Sequence, residues 1–362
     1  MKTEEKKNIV VVGAKGVVGR AIVELLEWLG HKVFGVDLDN VQDLPRIAEE
    51  AEVAFIAVPI SQIAETAREL AGAMKPGSLI ISGGSVAQPA APKAIDFALI
   101  KEKGIAFAHL HLMFRPEKPL KATIFGENIA LAIEGDETGE WRGWIEEQLI
   151  SFGPFFHQID GAKHDRVTTI SQLLHMITAV LAAKLWNSTD EAELTLGVRV
   201  GGFPCQSIVR SVLRSMQRSD LIAEILTSHP QALATLAVLK SALAEIEQAV
   251  RSGVTTEIEK SLTTARGHVE ADLLRETDWM AGELIRLEAD LRKPKLIFDF
   301  PAEMNRPPLL ARAMNEFDSR GINKTSTFAH NLPNGGCRFV VGVAELNDQV
   351  RECEKAIRGF LP

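Results

Sequence analysis

The chain is short of cysteine, of long apolar runs and of basic clusters, and each shortage removes a class of protein. Its three cysteines, Cys205, Cys337 and Cys353, stand at scattered spacings with no Cys-x-x-Cys. With no close histidine pair of metal-site form either, neither a disulfide framework nor a structural zinc is indicated, and no metal is expected. No apolar stretch reaches the roughly 18 residues that a membrane span needs, and Met1-Lys2-Thr3-Glu4-Glu5-Lys6-Lys7 runs directly into a strand pattern. No membrane partner and a cytoplasmic location are therefore expected. Forty-eight acids against 40 Lys plus Arg give a formal charge of −8 without a basic block, which argues against nucleic acid. Any anion has to be held locally. Tyrosine is absent although 16 Phe and 5 Trp are present, and drift explains this most simply. No internal repeat or low-complexity tract occurs.

What is present is an ordinary globular composition, 46% hydrophobic and 24% charged, on a chain of 362 residues, enough for two or three domains. Asn8-Ile9-Val10-Val11-Val12 reads as a buried strand, followed by the turn Gly13-Ala14-Lys15-Gly16-Val17-Val18-Gly19 and a helix with apolar spacing through Ala21, Ile22, Leu25, Leu26 and Leu29. This is the layout of a dinucleotide site. Gly13 allows the tight turn, Gly16 lets backbone N–H groups at the helix start (Val17, Val18) approach a pyrophosphate, and Gly19 permits close helix–strand packing. Asp37 ends the second strand, where its carboxylate suits both adenosine ribose hydroxyls and repels a 2′-phosphate, so NAD is favoured over NADP. Lys15, a cation beside the turn, argues the other way. The bland alternative is a glycine turn in a doubly wound sheet that binds nothing.

Strands at 53–58, 78–82, 105–108 and 129–133 alternate with helices near 44–50, 60–74 and 91–102, which predicts a Rossmann-type α/β domain with a doubly wound parallel sheet ending near Gly153. From Gly161 to Leu291 the apolar period becomes helical. After Lys293-Pro294-Lys295 it returns to strands at 296–300, 325–328 and 337–343, with helices at 309–319 and 348–358, a β-α-β-β-α order that fits a small ferredoxin-type sandwich. The expected domains are 1–155 for the dinucleotide, 156–293 for substrate and dimerisation, and 294–362.

His109-Leu110-His111-Leu112-Met113-Phe114-Arg115-Pro116 follows a strand at the sheet edge where open α/β folds hold ligands. The segment is similar to the His-Pro-Met-Phe-Gly-Pro motif of the prephenate dehydrogenase family. Val58-Pro59-Ile60, Gly84-Ser85-Val86 and Lys163-His164-Asp165-Arg166 stand where that family has related segments, and the resemblance spans roughly residues 8 to 275. It implies oxidative decarboxylation, in which NAD accepts hydride from C4 of a cyclohexadienyl carboxylate while carbon dioxide leaves. The resemblance makes His111 the catalytic base and Ser85 a substrate hydrogen-bonding residue. It also places His164, with Val58 and Pro59, near the cofactor. A dianionic substrate needs a cation, and Arg210 and Arg214 lie four apart on one helical face; Arg214 best matches the family's carboxylate-binding arginine. His175 is also expected to bind substrate, although it stands one position, about 100° of helix, from the family's histidine.

The C-terminal segment resembles an ACT-type regulatory domain, which implies an aromatic amino acid effector or a purely structural module. The resemblance as a whole implies a homodimer acting on prephenate or arogenate in tyrosine biosynthesis. An enzyme that supplies tyrosine also gains by being translatable when tyrosine is scarce. Departures at Ala87, Leu112 and Arg115 keep 4-amino-4-deoxyprephenate open as the substrate. A 6-phosphogluconate-like dehydrogenase needs a catalytic lysine, which Gly83–Val86 lacks. A non-catalytic sensor of dinucleotide and amino acid is the remaining alternative.

Overall fold

A computed structural model of the chain describes residues 6–90, 94–114, 116, 123–200, 203–292, 294–305, 308–332 and 335–360. The chain divides into two compact units, Met1–Gln248 and Ala249–Pro362.

The first unit is built on a seven-stranded sheet of β1 (Asn8–Val12), β2 (Lys32–Val36), β3 (Val53–Ile56), β4 (Leu79–Ser82), β5 (Ala106–Leu112), β6 (Asn128–Glu134) and β7 (Phe155–Gln158), in the order β2-β1-β3-β4-β5-β6-β7. Ile9 and Val11 join one buried apolar cluster while Val10 and Val12 join another, so both sheet faces are covered. That is why β1, β3 and β4 read as unbroken apolar runs and not as alternating ones. Helix α1 (Val17–Trp28) presents Ile22 and Leu25 to the first face. After the short α2 (Leu44–Ala48), helix α3 (Ile60–Ala73) presents Ile63 and Leu70 to the second.

The sheet departs from the sequence expectation at its far side. β5 runs on through His109 and His111, because β6 pairs with it antiparallel and extends the ladder to Leu112↔Ile129. The motif therefore lies within a strand and not after one. α5 (Glu140–Ile150) then leads to β7, parallel to β6 and beyond the expected end of the sheet. Residues 91–93 of the expected 91–102 helix lie outside the described residues. The observed helix, α4 (Phe97–Glu102, numbered by chain position between β4 and β5), starts where the Asp96 carboxylate caps the Leu99 N–H at 3.0 Å.

The rest of this unit is helical: α6 (Gly161–Thr168), a single π-helical turn at Thr169–Leu173, α7 (Leu174–Trp186), α8 (Glu191–Val200), α9 (Phe203–Met216), α10 (Ser219–Ser228) and most of α11 (Ala232–Ser252). Leu221 and Ile225 of α10 and Met176 of α7 pack into the same cluster as Val58 and Ile63, which brings the helical wall against the sheet. Contrary to the sequence expectation, the continuous helical run Gly161–Trp186 is long and apolar enough by composition to cross a membrane. Its first turns carry His164 and Asp165, both buried.

In the second unit, α12 (Thr256–Gly267) and α13 (Ala271–Arg292) precede a three-stranded antiparallel sheet, β8 (Lys295–Phe300), β9 (Lys324–Asn331) and β10 (Cys337–Val343), in the order β8-β10-β9. Helices α14 (Pro308–Ser319) and α15 (Asp348–Arg358) cover it through Phe317, Cys353 and Ile357 against Phe298, Phe300 and Phe339.

Candidate active site

The glycine turn has the backbone geometry that its sequence requires. Gly13 has φ +83°, its N–H donates to the Val36 carbonyl at 2.8 Å, and a Cβ there would stand 2.6 Å from the Ala57 carbonyl oxygen. A Cβ on Gly19 would collide with the Gly13 carbonyl. The helix therefore starts in close contact with the strand end, with no acidic side chain in its first turn, and its leading N–H groups have no intrahelical partner.

Asp37, just past β2, accepts the Lys15 backbone N–H at 2.8 Å and that of Leu38 at 2.9 Å. Lys15 itself reaches Asp39, 2.5 Å from ammonium to carboxylate, and that hydrogen bond holds the Asp39 carboxyl below the usual carboxylate range. The cation beside the turn is thus paired with a carboxylate from the loop after β2, and the corner around Asp37 keeps an acidic character.

A cleft of about 420 Å³ opens beside the start of α1, at the C-terminal ends of the parallel strands. One wall comes from Val17 and Val18, from Val58 and Pro59 after β3, from Gly83, Gly84 and Ser85 after β4, and from His111 to Phe114. The helices supply the other through Gln172, Met176, Arg214, Arg218, Leu221 and Glu224. Glu224 accepts the Ser61 N–H at 2.8 Å, which fixes its carboxylate at the rim.

Behind the cleft lies a chain of buried polar groups. The Asp165 carboxylate accepts the N–H groups of Ala87 and Gln88, both at 2.9 Å, and its Oδ1 lies 2.8 Å from His164 Nδ1. His164 Nε2 lies 2.9 Å from His111 Nδ1, and His111 Nε2 lies 3.2 Å from the Gln172 amide nitrogen. A carboxylate only accepts, so His164 carries its proton on Nδ1 and presents a lone pair at Nε2. His111 then donates from Nδ1 and leaves its Nε2 lone pair facing Gln172 and the cleft. Burial, reinforced by His164 and opposed by Asp165, lowers the His111 pKa to about 3, so the ring is neutral near pH 7.

His111, Ser85, Arg214, Val17, Val18, Val58 and Pro59 all line this cleft; Gly13, Lys15, Gly16 and Gly19 lie in the turn beside it, and Asp37 stands just past the end of β2 against that turn. Two expected contacts are corrected. His164 does not line the cleft; it is 1% exposed and stands behind His111, since Asp165 anchors its α6 helix to the loop after β4. His175 turns toward α9, with Nε2 3.0 Å from Ser215 Oγ and 3.3 Å from Ser211 Oγ, as its one-residue displacement around the helix dictates. The side chain of Arg210, and residue Arg115, lie outside the described residues.

Sequence reasoning missed Gln172, Arg218 and Glu224. Arg218 carried a signal, being four residues beyond Arg214 as Arg214 is beyond Arg210. Metal-site spacing along the chain also gave no hint that His109, His111 and His164 lie together.

No family model matches the chain. A curated relative, the T-protein of Enterobacter agglomerans, is 23% identical over 175 residues, which is 48% of this chain and 44% of that protein, so the match spans less than half of the relative's length. Among solved structures, the prephenate dehydrogenase of A. aeolicus in complex with hydroxyphenyl propionate and NAD+ superposes with a TM-score of 0.56 at 14% identity, covering 73% of this chain and 98% of that one. The Synechocystis arogenate dehydrogenase gives 0.50 at 17% identity, covering 72% and 97%. The chain has the fold of these dehydrogenases, and the resemblance first read from its motifs recurs in a curated relative and in solved structures.

Proposed function

We propose that the chain is an NAD-dependent oxidoreductase of the prephenate dehydrogenase family that oxidatively decarboxylates prephenate or arogenate, to 4-hydroxyphenylpyruvate or tyrosine. The reading is carried by the His111 Nε2 lone pair, aimed into a cleft that begins at a dinucleotide-type turn. Gly13 and Gly19 leave no room for a side chain against the neighbouring backbone, which supports the tight strand–turn–helix join that brings the α1 N-terminus to a pyrophosphate. Asp37 holds the ribose hydroxyls and the α1 N-terminus holds the pyrophosphate. Bound NAD supplies the hydride acceptor.

The protein's own groups do the remainder. Arg214 and Arg218 bind substrate carboxylate, and Ser85 orients the C4 hydroxyl. As hydride leaves C4 and the ring carboxyl departs as carbon dioxide, the C4 oxygen gains carbonyl character and its proton becomes strongly acidic. His111 Nε2 takes that proton. A weakly basic, buried imidazole suffices because the acceptor has only to exceed the basicity of a carbonyl oxygen. His164 and Asp165 keep the ring in the accepting tautomer and stabilise the imidazolium that forms, the role of the third member in a nucleophile–base–acid triad.

Glu224, a rim carboxylate beside two arginines, suits a cation and an anion in one ligand, which favours an amine-bearing substrate: arogenate within the first reading, or 4-amino-4-deoxyprephenate as the second. The proposal includes a homodimer through α7, whose Leu181 and Leu185 are exposed apolar residues. It also includes a degenerate ACT-type module in the second unit, supported by the β8-β10-β9 order. NADH formation from prephenate, arogenate and the 4-amino analogue at equal concentration tests the function. The ratio of kcat/KM values assigns the substrate, and no turnover on any of the three refutes the enzyme in favour of a binding-only sensor.

A further inference from the structure

His109 stands apart from the proposed reaction, yet its environment is unusual. It is 3% exposed, and neither ring nitrogen has a hydrogen-bond partner. Buried polar atoms are rarely left so. Its ring lies edge-on to His164 with centroids 4.6 Å apart, and one nitrogen from each of His109, His111 and His164 lies within 4.8 Å of the others. We propose that these three imidazoles form a site for one borderline divalent transition-metal ion, with Zn²⁺ the first candidate, and that loading it switches off His111 as a proton acceptor.

The donor set is three nitrogens with no oxygen, which suits Zn²⁺, Ni²⁺ or Cu²⁺ and disfavours Mg²⁺ and Ca²⁺. Three protein ligands and a fourth position for water make an open tetrahedral site. His164 also has the outer partner that metal-binding histidines commonly use, a carboxylate on its far nitrogen, and Asp165 is itself fixed by two backbone N–H groups. Two nitrogens bound to one Zn²⁺ at ~2.0–2.1 Å in tetrahedral geometry lie ~3.3 Å apart. The 2.9 Å between His111 Nδ1 and His164 Nε2 therefore has to widen by only a few tenths of an ångström.

The effect on the proton follows from conservation. A metal on His111 Nδ1 takes the lone pair there, so the ring's one remaining proton moves to Nε2, the atom that faces the cleft. A donor then stands where the reaction needs an acceptor. This inhibitory half rests on the proposed function; the binding half does not.

The test uses the tag-free full chain, stripped with a chelator and titrated with Co²⁺ as a spectroscopic probe. One cobalt per chain should appear with visible ligand-field absorption that Zn²⁺ abolishes. His109→Gln should weaken cobalt binding by roughly tenfold or more, while turnover without metal is kept. Zn²⁺ should inhibit the unsubstituted protein and spare the variant. If His109→Gln fails to fold, His109→Phe keeps a ring of similar size without ligand nitrogens and must give the same result. Absence of the cobalt band, or equal binding by the His109 variants, overturns the site. Zinc bound at one equivalent without loss of turnover overturns the switch. Because binding is read by absorbance, cobalt bound by a protein with no turnover on any substrate supports the site while refuting only the proposed reaction.

Discussion

His111 and His164 share one hydrogen bond, Nδ1 to Nε2 at 2.9 Å, between rings from β5 and α6 that are both withdrawn from solvent. With Asp165 fixing the proton on the far side of His164, this contact decides which nitrogen of His111 can accept. His111→Asn should lower kcat by about 10²–10⁴ with little change in KM, measured by steady-state NADH formation.

Asp165→Asn should also lower kcat, because an amide can donate to His164 Nδ1 and so invite the opposite tautomer. The same change weakens two caps on the Ala87 and Gln88 N–H groups, so the melting temperature should fall as well. Parallel melting curves and kcat measurements for Asp165→Asn and Thr168→Ser, a conservative change nearby, check this. A loss of stability with unchanged kcat would contradict the tautomer argument.

The depressed pKa of His111 gives two expectations of definite sign. In the unfolded chain an imidazole takes its proton near pH 6.5, and in the folded protein His111 does so near 3. Between those values the unfolded state holds more protons, so stability falls as pH drops through that window. His109, pushed well below its ordinary value by burial, adds in the same direction. Denaturant midpoints between pH 7 and 4 should fall, with a shallower slope in His111→Asn. The kcat profile should stay flat through the ordinary histidine range, and an acid limb centred near 6.5 would refute a buried base.

At the corner between the glycine turn and β2, Asp39→Ala should free the Lys15 ammonium while leaving Asp37 in place. Preference for NAD over NADP, as a ratio of kcat/KM, should then fall by about two- to fivefold, as expected for an exposed charge. Asp37→Ala should lower it further.

At the turn, Gly19→Ala has no room for its methyl group against the Gly13 carbonyl. It should destabilise the fold by ~1–3 kcal/mol, read as a lower melting temperature. Gly72→Ala, whose Cβ would meet open space, is the matched control.

Much of this site was legible in the sequence where the signal is local. β1, the glycine turn and α1 follow from one apolar run, three glycines and a 3.6-residue period. His175 is expected from sequence at the substrate, and its one-residue offset around the helix raises the question without settling that the ring faces Ser211 and Ser215. What was not legible is set by distant parts of the chain. The Phe155-Phe156-His157-Gln158 strand is a largely exposed edge without alternation, so only its pairing with β6 reveals it. The direction of β6 has no signature in its own residues. His164 lies 53 residues from His111, and no spacing rule links a strand to a helix across that interval.

The antiparallel pairing of β5 with β6 sets His109 opposite Ala132 and His111 opposite Ala130, both nearly inaccessible to solvent. Cross-strand neighbours stand within about 5.5 Å of each other, so the smallness of two methyl side chains reserves the volume that the imidazoles occupy. Ala130 and Ala132 thus act as spacers without bearing any reactive atom. Lengthening either by even one carbon would shift the aim of a ring on the adjoining strand, which makes a silent stretch of sheet a tolerance gauge for the chemistry beside it.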